Sequence, residues 1–310
     1  MKLSIVTTLY QSSLYINEFY SRITKEAKKI TNKYEIIFVD DGSPDDSLQK
    51  AISLYEKDKK IKVIELSRNF GHHKAIMTGL SHAKGDFVFL IDVDLEEEPE
   101  LLGEFWGELH KEESLDVVYG IQESRKGNWF ERWSGDIFYK SFNKISYVTL
   151  PRNLITCRLT TKEYNQALIS HKEREVFLAG LWVISGFNQK EIVVKKYSHS
   201  ETTYSFRHKL SLLFYALTSF SIFPLKVIFY TGSMICFISF LYILFIILRK
   251  LIFDVSLEGW VSLIVSIWFL GGLILFSIGV IGIYISKIFT ETKQRPYTVI
   301  RKKYESIANE

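Results

Sequence analysis

Two stretches near the end of the chain carry no charged side chain: residues 227–248, 22 in a row, and residues 260–286, 27 in a row. A helix rises about 1.5 Å per residue, so each is long enough to cross a hydrocarbon core of about 30 Å. Few features restrict a fold more, because a span in lipid must satisfy its backbone internally and is therefore read as a helix. The polarity of the remainder is just as informative. Of 39 basic and 35 acidic residues in 310, only Lys226, Arg249, Lys250, Asp254, Glu258 and Lys287 fall between positions 210 and 288. A polar globular part is thus joined to a hydrophobic part. That division excludes a wholly soluble enzyme, a disordered protein and a many-span transporter.

Charge on the flanks orients the spans. Arg207 and Lys209 precede the first, and Lys287, Lys293, Arg295, Arg301, Lys302 and Lys303 follow the second. The connecting loop has only Arg249 and Lys250, opposed by Asp254 and Glu258. The bias places both termini on the cytoplasmic side of a multi-pass membrane protein. The expected organisation is a cytoplasmic domain over 1–205, an interfacial amphipathic helix over 206–224, two transmembrane helices within 225–289 (about 225–248 and 260–286), and a cytoplasmic tail over 290–310. In the juxtamembrane segment Phe206, Leu210, Leu213, Phe214, Leu217 and Phe220 recur at helical spacing, and Pro224 ends the run. A second amphipathic pattern runs over 130–147, and its periodicity fits an interfacial helix or one packed on the domain's own core. Gly271, Gly272, Gly279 and Gly282 would let membrane helices approach closely, within or between chains.

A net charge of +4, with no basic stretch interleaved with aromatics, gives no reason to invoke nucleic acid. Cys157 and Cys236 fall one in each part and form no disulfide framework, which suits a reducing compartment. The N-terminal MKLSIVTTLY reads as a strand, its apolar run being short for a signal-peptide core.

In the globular part, short β-rich runs alternate with helical stretches. LSIVTTL, YEIIFVD, IKVIEL and DFVFLIDVD are separated by helix patterns over 14–31, 44–59 and 74–83. Such alternation predicts an α/β domain with a mainly parallel sheet, whose ligands bind beyond the carboxyl ends of the strands. Carboxylates occupy that position twice, as Asp40 and Asp41 after one strand and as Asp92 and Asp94 after another. No glycine-rich phosphate loop is present in the sequence, so a bound nucleotide would need its phosphates neutralised otherwise. A D-x-D pair offers hard oxygen ligands for Mg²⁺ or Mn²⁺.

The ordered series SIVTTLYQ, VDDGSPDDS, LSRNFGHHKAIMTGL, GDFVFLIDVDLEEEPELL, DVVYGIQESRKGNWFERW, FYKSFN, FLAGLW, TSFSIFPL and the closing KQRPY resembles a family 2 glycosyltransferase. More narrowly, it is similar to the bacterial polyprenyl-phosphate glycosyltransferases, relatives of dolichol-phosphate mannose synthase. The resemblance implies a GT-A-type nucleotide-sugar domain and inverting transfer of one hexose from a UDP-sugar, UDP-glucose or similar, to undecaprenyl phosphate or another polyprenyl phosphate. It implies residence in the bacterial cytoplasmic membrane, a homo-oligomer, and a product used for O-antigen, teichoic acid or another cell-envelope glycan. Carried over by position, Thr8 and Tyr10 line the base, Asp40 and Asp41 lie near uracil and ribose, and Arg68, Asn69, Gly71 and Lys74 pack beside the nucleotide. Asp92 and Asp94 match the metal-and-diphosphate motif. Glu96 stands where relatives have glutamine, and joins Asp94 as metal ligand. Arg125 and Arg132 are candidates for the acceptor phosphate, and Arg158 for an active-site cation.

Three departures from the family pattern stand out. Gln122 replaces an arginine, Thr156 replaces an aspartate proposed as catalytic base, and SETTY replaces the glycine-led approach to the juxtamembrane helix. Two other functions compete: a processive polysaccharide synthase, and a silent nucleotide- or lipid-binding membrane scaffold. Few spans and the lack of Q-x-x-R-W in the sequence oppose the first; the intact D-x-D opposes the second.

Overall fold

The computed structural model describes residues 1–122, 143, 149, 151–195, 221–253 and 259–306. The segments around 130–147 and 206–220, where amphipathic helices are expected, lie outside these residues apart from positions 143 and 149. The chain divides into two compact units. One comprises Met1–Lys140, Val148–Tyr204 and Arg295–Glu310; the other comprises Ser141–Tyr147 and Ser205–Gln294.

The first unit is built on β1 (Leu3–Leu9), β2 (Tyr34–Asp40), β3 (Ile61–Leu66), β4 (Phe87–Leu90), β5 (Val117–Gln122), β6 (Leu154–Thr161), β7 (Gln189–Val194) and β8 (Ile300–Tyr304). These form one sheet in the order β7-β5-β6-β4-β1-β2-β3-β8. β1, β2, β3 and β4 run parallel, as the alternation of runs predicts. Every residue of β1 and β2 is buried, as expected of strands covered on both faces.

Side-chain alternation sends Leu3, Ile5 and Leu9 with Ile36 and Phe38 to one face, and Val6 with Ile37 and Val39 to the other. The first face receives α1 (Ile16–Ile30), α2 (Ser47–Lys57) and α4 (Leu101–Leu109). In α1 the buried Ile16, Phe19, Ile23 and Ala27 recur every three or four residues. The second face receives α3 (His72–His82), α5 (Lys162–Ser170) and α6 (Leu178–Ile184). At Gly79 of α3 a Cβ would lie 2.5 Å from Val6 Cγ1, so glycine is what permits this helix its close seat on the sheet.

Two features depart from the simple alternation. β6 is inserted antiparallel between β4 and β5, and β7 then runs parallel to β5 at one edge. At the other edge β8, from the segment expected as a tail, pairs antiparallel with β3. Tyr304 and Arg301 both reach Glu65, at 3.3 and 3.2 Å, and Thr298 Oγ1 meets Thr78 Oγ1 at 2.8 Å.

The second unit contains α7 (Phe223–Phe253, 31 residues) and α8 (Trp260–Thr292, 33 residues). Within α8, Ser266–Thr292 contains an 18-residue window of mean hydropathy 2.2 and is long and apolar enough to cross a bilayer. By the same measure Phe223–Ser239 is a shorter apolar stretch, so one span and not two meets the criterion among the described residues. Trp268, Leu275 and Phe229 are exposed, an apolar surface that water disfavours.

At the end of the sheet opposite the strand C-termini, Glu35 is buried and accepts hydrogen bonds from Ser4 Oγ (2.6 Å), the Lys84 N–H (2.8 Å) and Lys2 Nζ (2.9 Å), with Lys62 Nζ also at 2.9 Å. Burial alone would raise its pKa, but donation from Ser4, Lys62, Lys84 and Lys2 outweighs it and holds the carboxyl at about 2 instead of 4.5. A depressed native pKa stabilises the fold above the unfolded value, and that contribution fades as pH falls from 4.5 toward 2. Glu35→Gln should therefore cost about 2–3 kcal/mol near neutral pH. Thermal unfolding of the full chain should show the gap between variant and wild type narrowing between pH 4.5 and 3.

Candidate active site

The carboxyl ends of β1, β2 and β4 point the same way, so the loops that follow them converge. Asp40 closes β2 directly beside Leu9, and the Asp41 N–H donates to Leu9 O at 3.0 Å. The chain then turns at Gly42, with φ of +64°, where a Cβ would stand 2.5 Å from Asn69 N. Only glycine allows the loops after β2 and β3 to touch there. Asp41 completes the junction: its two carboxylate oxygens accept from the N–H groups of Phe70 (2.7 Å) and Gly71 (3.0 Å).

A small open cleft of about 90 Å³ results, lined by Thr8, Leu9, Tyr10, Asp41, Asn69 and His72. Thr8, Tyr10 and Asp41, which the resemblance places at the nucleotide, are thus brought together. Asp40, paired in register with Leu9, is 2% exposed. Arg68 is exposed, donating to Asn69 O at 3.0 Å with its guanidinium 4.2 Å from the Phe70 ring centroid. Lys74 sits in the first turn of α3.

A second group of carboxylates follows β4. Over residues 92–97 burial alternates: Val93, Leu95 and Glu97 are buried, while Asp92, Asp94 and Glu96 are half-buried. The three motif carboxylates therefore share the more open side. The turn is tight, with Leu95 at φ +59° and the Glu96 N–H donating to Asp94 Oδ1 at 3.0 Å. Among the described residues, no cluster of three or more His, Cys, Asp or Glu side chains is arranged to hold a metal. The oxygen donors of Asp94 and Glu96 are of the kind that suits a hard divalent cation.

His72 and His73 diverge, as adjacent residues do. His72 Nδ1 lies 3.1 Å from Thr8 Oγ1 and its Nε2 3.5 Å from Asp92 Oδ1, whereas His73 Nδ1 lies 3.2 Å from Val176 O.

Arg158, expected as an active-site cation, is 1% exposed, with its guanidinium 3.0 Å from the Trp182 ring centroid. Its Nε and Nη2 donate to Thr156 O (3.2 Å) and Ile155 O (3.3 Å). The cause is strand alternation. Cys157 and Leu159 take one face of β6, which turns Arg158 toward α5 and α6. Burial draws its pKa down to about 10, still leaving it charged. Thr156 is half-buried on β6. Gln122 ends β5, where its N–H donates to Asn153 O at 2.9 Å. Arg125 and Arg132 lie outside the described residues.

Sequence reasoning missed Asp45. Its carboxylate accepts from Ser43 Oγ and Ser47 Oγ, both at 2.6 Å, and from the Ser13 N–H at 3.1 Å, while Ser43 Oγ in turn receives the Gln11 N–H at 2.8 Å. It ties the β1 loop, including Gln11 at φ +52°, to the β2 loop. Burial raises its pKa, but the hydrogen bonds prevail and hold it at about 2. The signal was present in VDDGSPDDS, as an aspartate placed to bond backbone and hydroxyls nearby.

The glycosyl transferase family 2 model matches residues 4–169, more than half of the chain. The chain belongs to glycosyl transferase family 2 and is an enzyme of that family, with the GT-A-like α/β fold and mostly parallel mixed sheet described above. A protein of Mycobacterium tuberculosis (strain CDC 1551 / Oshkosh) described as a glycosyltransferase is 50% identical over 306 residues, covering 99% of this chain and 89% of that one. The SfII prophage-derived bactoprenol glucosyl transferase of Shigella flexneri is 33% identical over 310 residues, covering 98% and 99%. Among solved structures, mannosyl-3-phosphoglycerate synthase from Rubrobacter xylanophilus is similar with a TM-score of 0.47 at 16% identity, covering 71% of this chain and 72% of that one.

Asp40 yields a test. Among the described residues nothing hydrogen-bonds its Oδ1, and its Oδ2 accepts a long hydrogen bond from the Ser43 N–H at 3.4 Å. Burial first, then Glu65 and Asp41, raise its pKa from 3.8 to about 6 against the pull of the Ser43 and Gly42 N–H groups. A raised acid pKa means the native state holds the proton more tightly, so the stability conferred at low pH is lost as pH climbs from 3.8 through 6. Asp40→Asn should therefore stabilise the protein at pH 7.5 by about 1–3 kcal/mol, shifting Tm up by about 2–4 °C per kcal/mol. Melting curves should show the gain shrinking at pH 4.5.

Proposed function

We propose that this enzyme transfers one hexose from a UDP-sugar, UDP-glucose or similar, to undecaprenyl or another polyprenyl phosphate, with inversion, on the cytoplasmic face of a bacterial membrane. One observation carries the reading: Asp41 after β2 lines a cleft, and His72 of the same cleft lies 3.5 Å from Asp92 beyond β4, in a chain that also holds a helix able to cross a bilayer. The name of the Shigella relative, a bactoprenol glucosyl transferase, supports glucose and a polyprenyl acceptor. Two spans with both termini in the cytoplasm, as the charge bias suggests, would hold the acceptor at the interface. The glycines of α8 suit assembly into a homo-oligomer.

The side chains have separable jobs. Thr8, Tyr10, Asp40 and Asp41, with Arg68 and Lys74 beside them, receive the nucleoside, and Asp92 faces its ribose and diphosphate. Asp94 and Glu96 would hold Mg²⁺ or Mn²⁺, which stabilises charge developing on a nucleotide leaving group. Arg125 and Arg132 would bind the acceptor phosphate by charge-assisted hydrogen bonds and bring it to the anomeric carbon. A phosphate monoester has a second pKa of about 6, so the nucleophile is already largely ionised at neutral pH. Replacement of a carboxylate by Thr156 is then tolerable, since there is little proton left to remove. Arg158 contributes as buried support for β6 and α6.

Incubation of the purified protein with undecaprenyl phosphate and a panel of labelled UDP-sugars should give a lipid product carrying a single sugar. Turnover should stop in excess EDTA and in Asp94→Asn, with folding intact. Mass spectra showing several sugars added by the enzyme alone would instead mark a polymer synthase.

Thr156→Val should keep activity within about tenfold, or about 1.4 kcal/mol in the barrier. Arg132→Ala should lose more, about 1.5–3 kcal/mol, seen mainly in the KM for the lipid acceptor. An inactive Thr156→Val beside a fully active Arg132→Ala would reverse these assignments.

A further inference from the structure

His72 has no role in the scheme above, yet it lines the cleft and also approaches Asp92, beyond β4. It is the first residue of α3, presented by Gly71, whose φ of +99° suits glycine. The turn is held by Asp41 through the Phe70 and Gly71 N–H groups. From there the imidazole reaches Thr8 Oγ1, at the end of β1, with one nitrogen (3.1 Å) and Asp92 Oδ1, beyond β4, with the other (3.5 Å). A neutral imidazole has one N–H and one lone pair. A Thr8 hydroxyl donating to Nδ1 leaves the Nε2–H on the side of Asp92, an electrostatic contact at 3.5 Å.

We propose that His72 is a positioning residue for the nucleotide-sugar: it fixes the Asp92 carboxylate through Oδ1 and leaves Oδ2 to accept a hydroxyl of the donor. The inference rests on the donor being a nucleotide-sugar. A carboxylate at the rim of an open cleft otherwise samples several rotamers, and ordering it would weaken donor binding. Holding it in advance removes that cost equally for the bound donor and for the transition state. The effect belongs in the donor KM and not in kcat. His72 itself is 47% exposed on its side chain, so replacing it leaves both core layers intact.

The full-length protein should be assayed with UDP-glucose, Mg²⁺ and undecaprenyl phosphate. His72→Ala should raise the KM for UDP-glucose about tenfold with kcat within about threefold, the pattern of lost uniform binding. His72→Gln keeps an amide donor and a carbonyl acceptor and should recover most of the loss. An unchanged KM in His72→Ala, or equal impairment by alanine and glutamine, overturns the inference. Titration of UDP with Mg²⁺ separates it from the functional reading. Weaker UDP binding by His72→Ala supports the inference even if glucose is the wrong sugar, and equal binding overturns it. A wild-type protein that neither turns over a UDP-sugar nor binds UDP sinks the donor assignment and the inference with it.

Discussion

The parallel pairing of β1 with both β2 and β4 is the constraint on which the rest depends. A strand buried on both faces and hydrogen-bonded on both edges has little place for charged side chains in its interior. The chemistry is therefore displaced to the strand ends, and a common direction gathers those ends on one side of the sheet. Thr8, Asp40 and Asp92 become neighbours although they are far apart in sequence.

Gathering carboxylates has a cost that the two ends of the sheet handle in opposite ways. At the N-terminal end Glu35 is neutralised by lysines and hydroxyl and amide donors, and it strengthens the fold. At the C-terminal end Asp41 and Asp45 are likewise occupied, holding loops through N–H and O–H groups. Asp40 is different, being buried beside Glu65 and Asp41 with little to offset its charge. A side chain that weakens the protein at neutral pH is not accounted for by folding stability.

Local periodicity made much of this legible. LSIVTTL and YEIIFVD are strands because unbroken apolar and β-branched runs suit a doubly covered sheet, and the acidic pairs after the strands marked the site. Long-range pairing was not legible. The antiparallel entry of β6 depends on a partner some 70 residues distant, so the inward direction of Arg158 could not be read from ITCRL. His72 gave no sign of bridging Thr8 and Asp92, because the bridge exists only once β1, α3 and the segment after β4 are assembled. Asp45 was overlooked because its partners are backbone and hydroxyl groups, which carry no charge signal.

From sequence, the closing KQRPY and the residues after it are expected to form a cytoplasmic tail. The same residues are what an edge strand needs. β3 would otherwise present unpaired N–H and C=O groups along one side of a long sheet, an invitation to pair with another chain. β8 covers that edge and shows basic side chains at its own outer border, where Lys302 and Lys303 disfavour further strand addition. Glu65 makes the pairing selective: Arg301 and Tyr304 supply a cation and a hydroxyl to a carboxylate that is 8% exposed and stands beside Asp40 in the register. Without β8, two carboxylates on adjacent strands would share that corner with fewer donors, raising the repulsion already felt by Asp40. The strand that follows the hydrophobic helices in sequence thus supports the same charge arrangement on which the cleft is built.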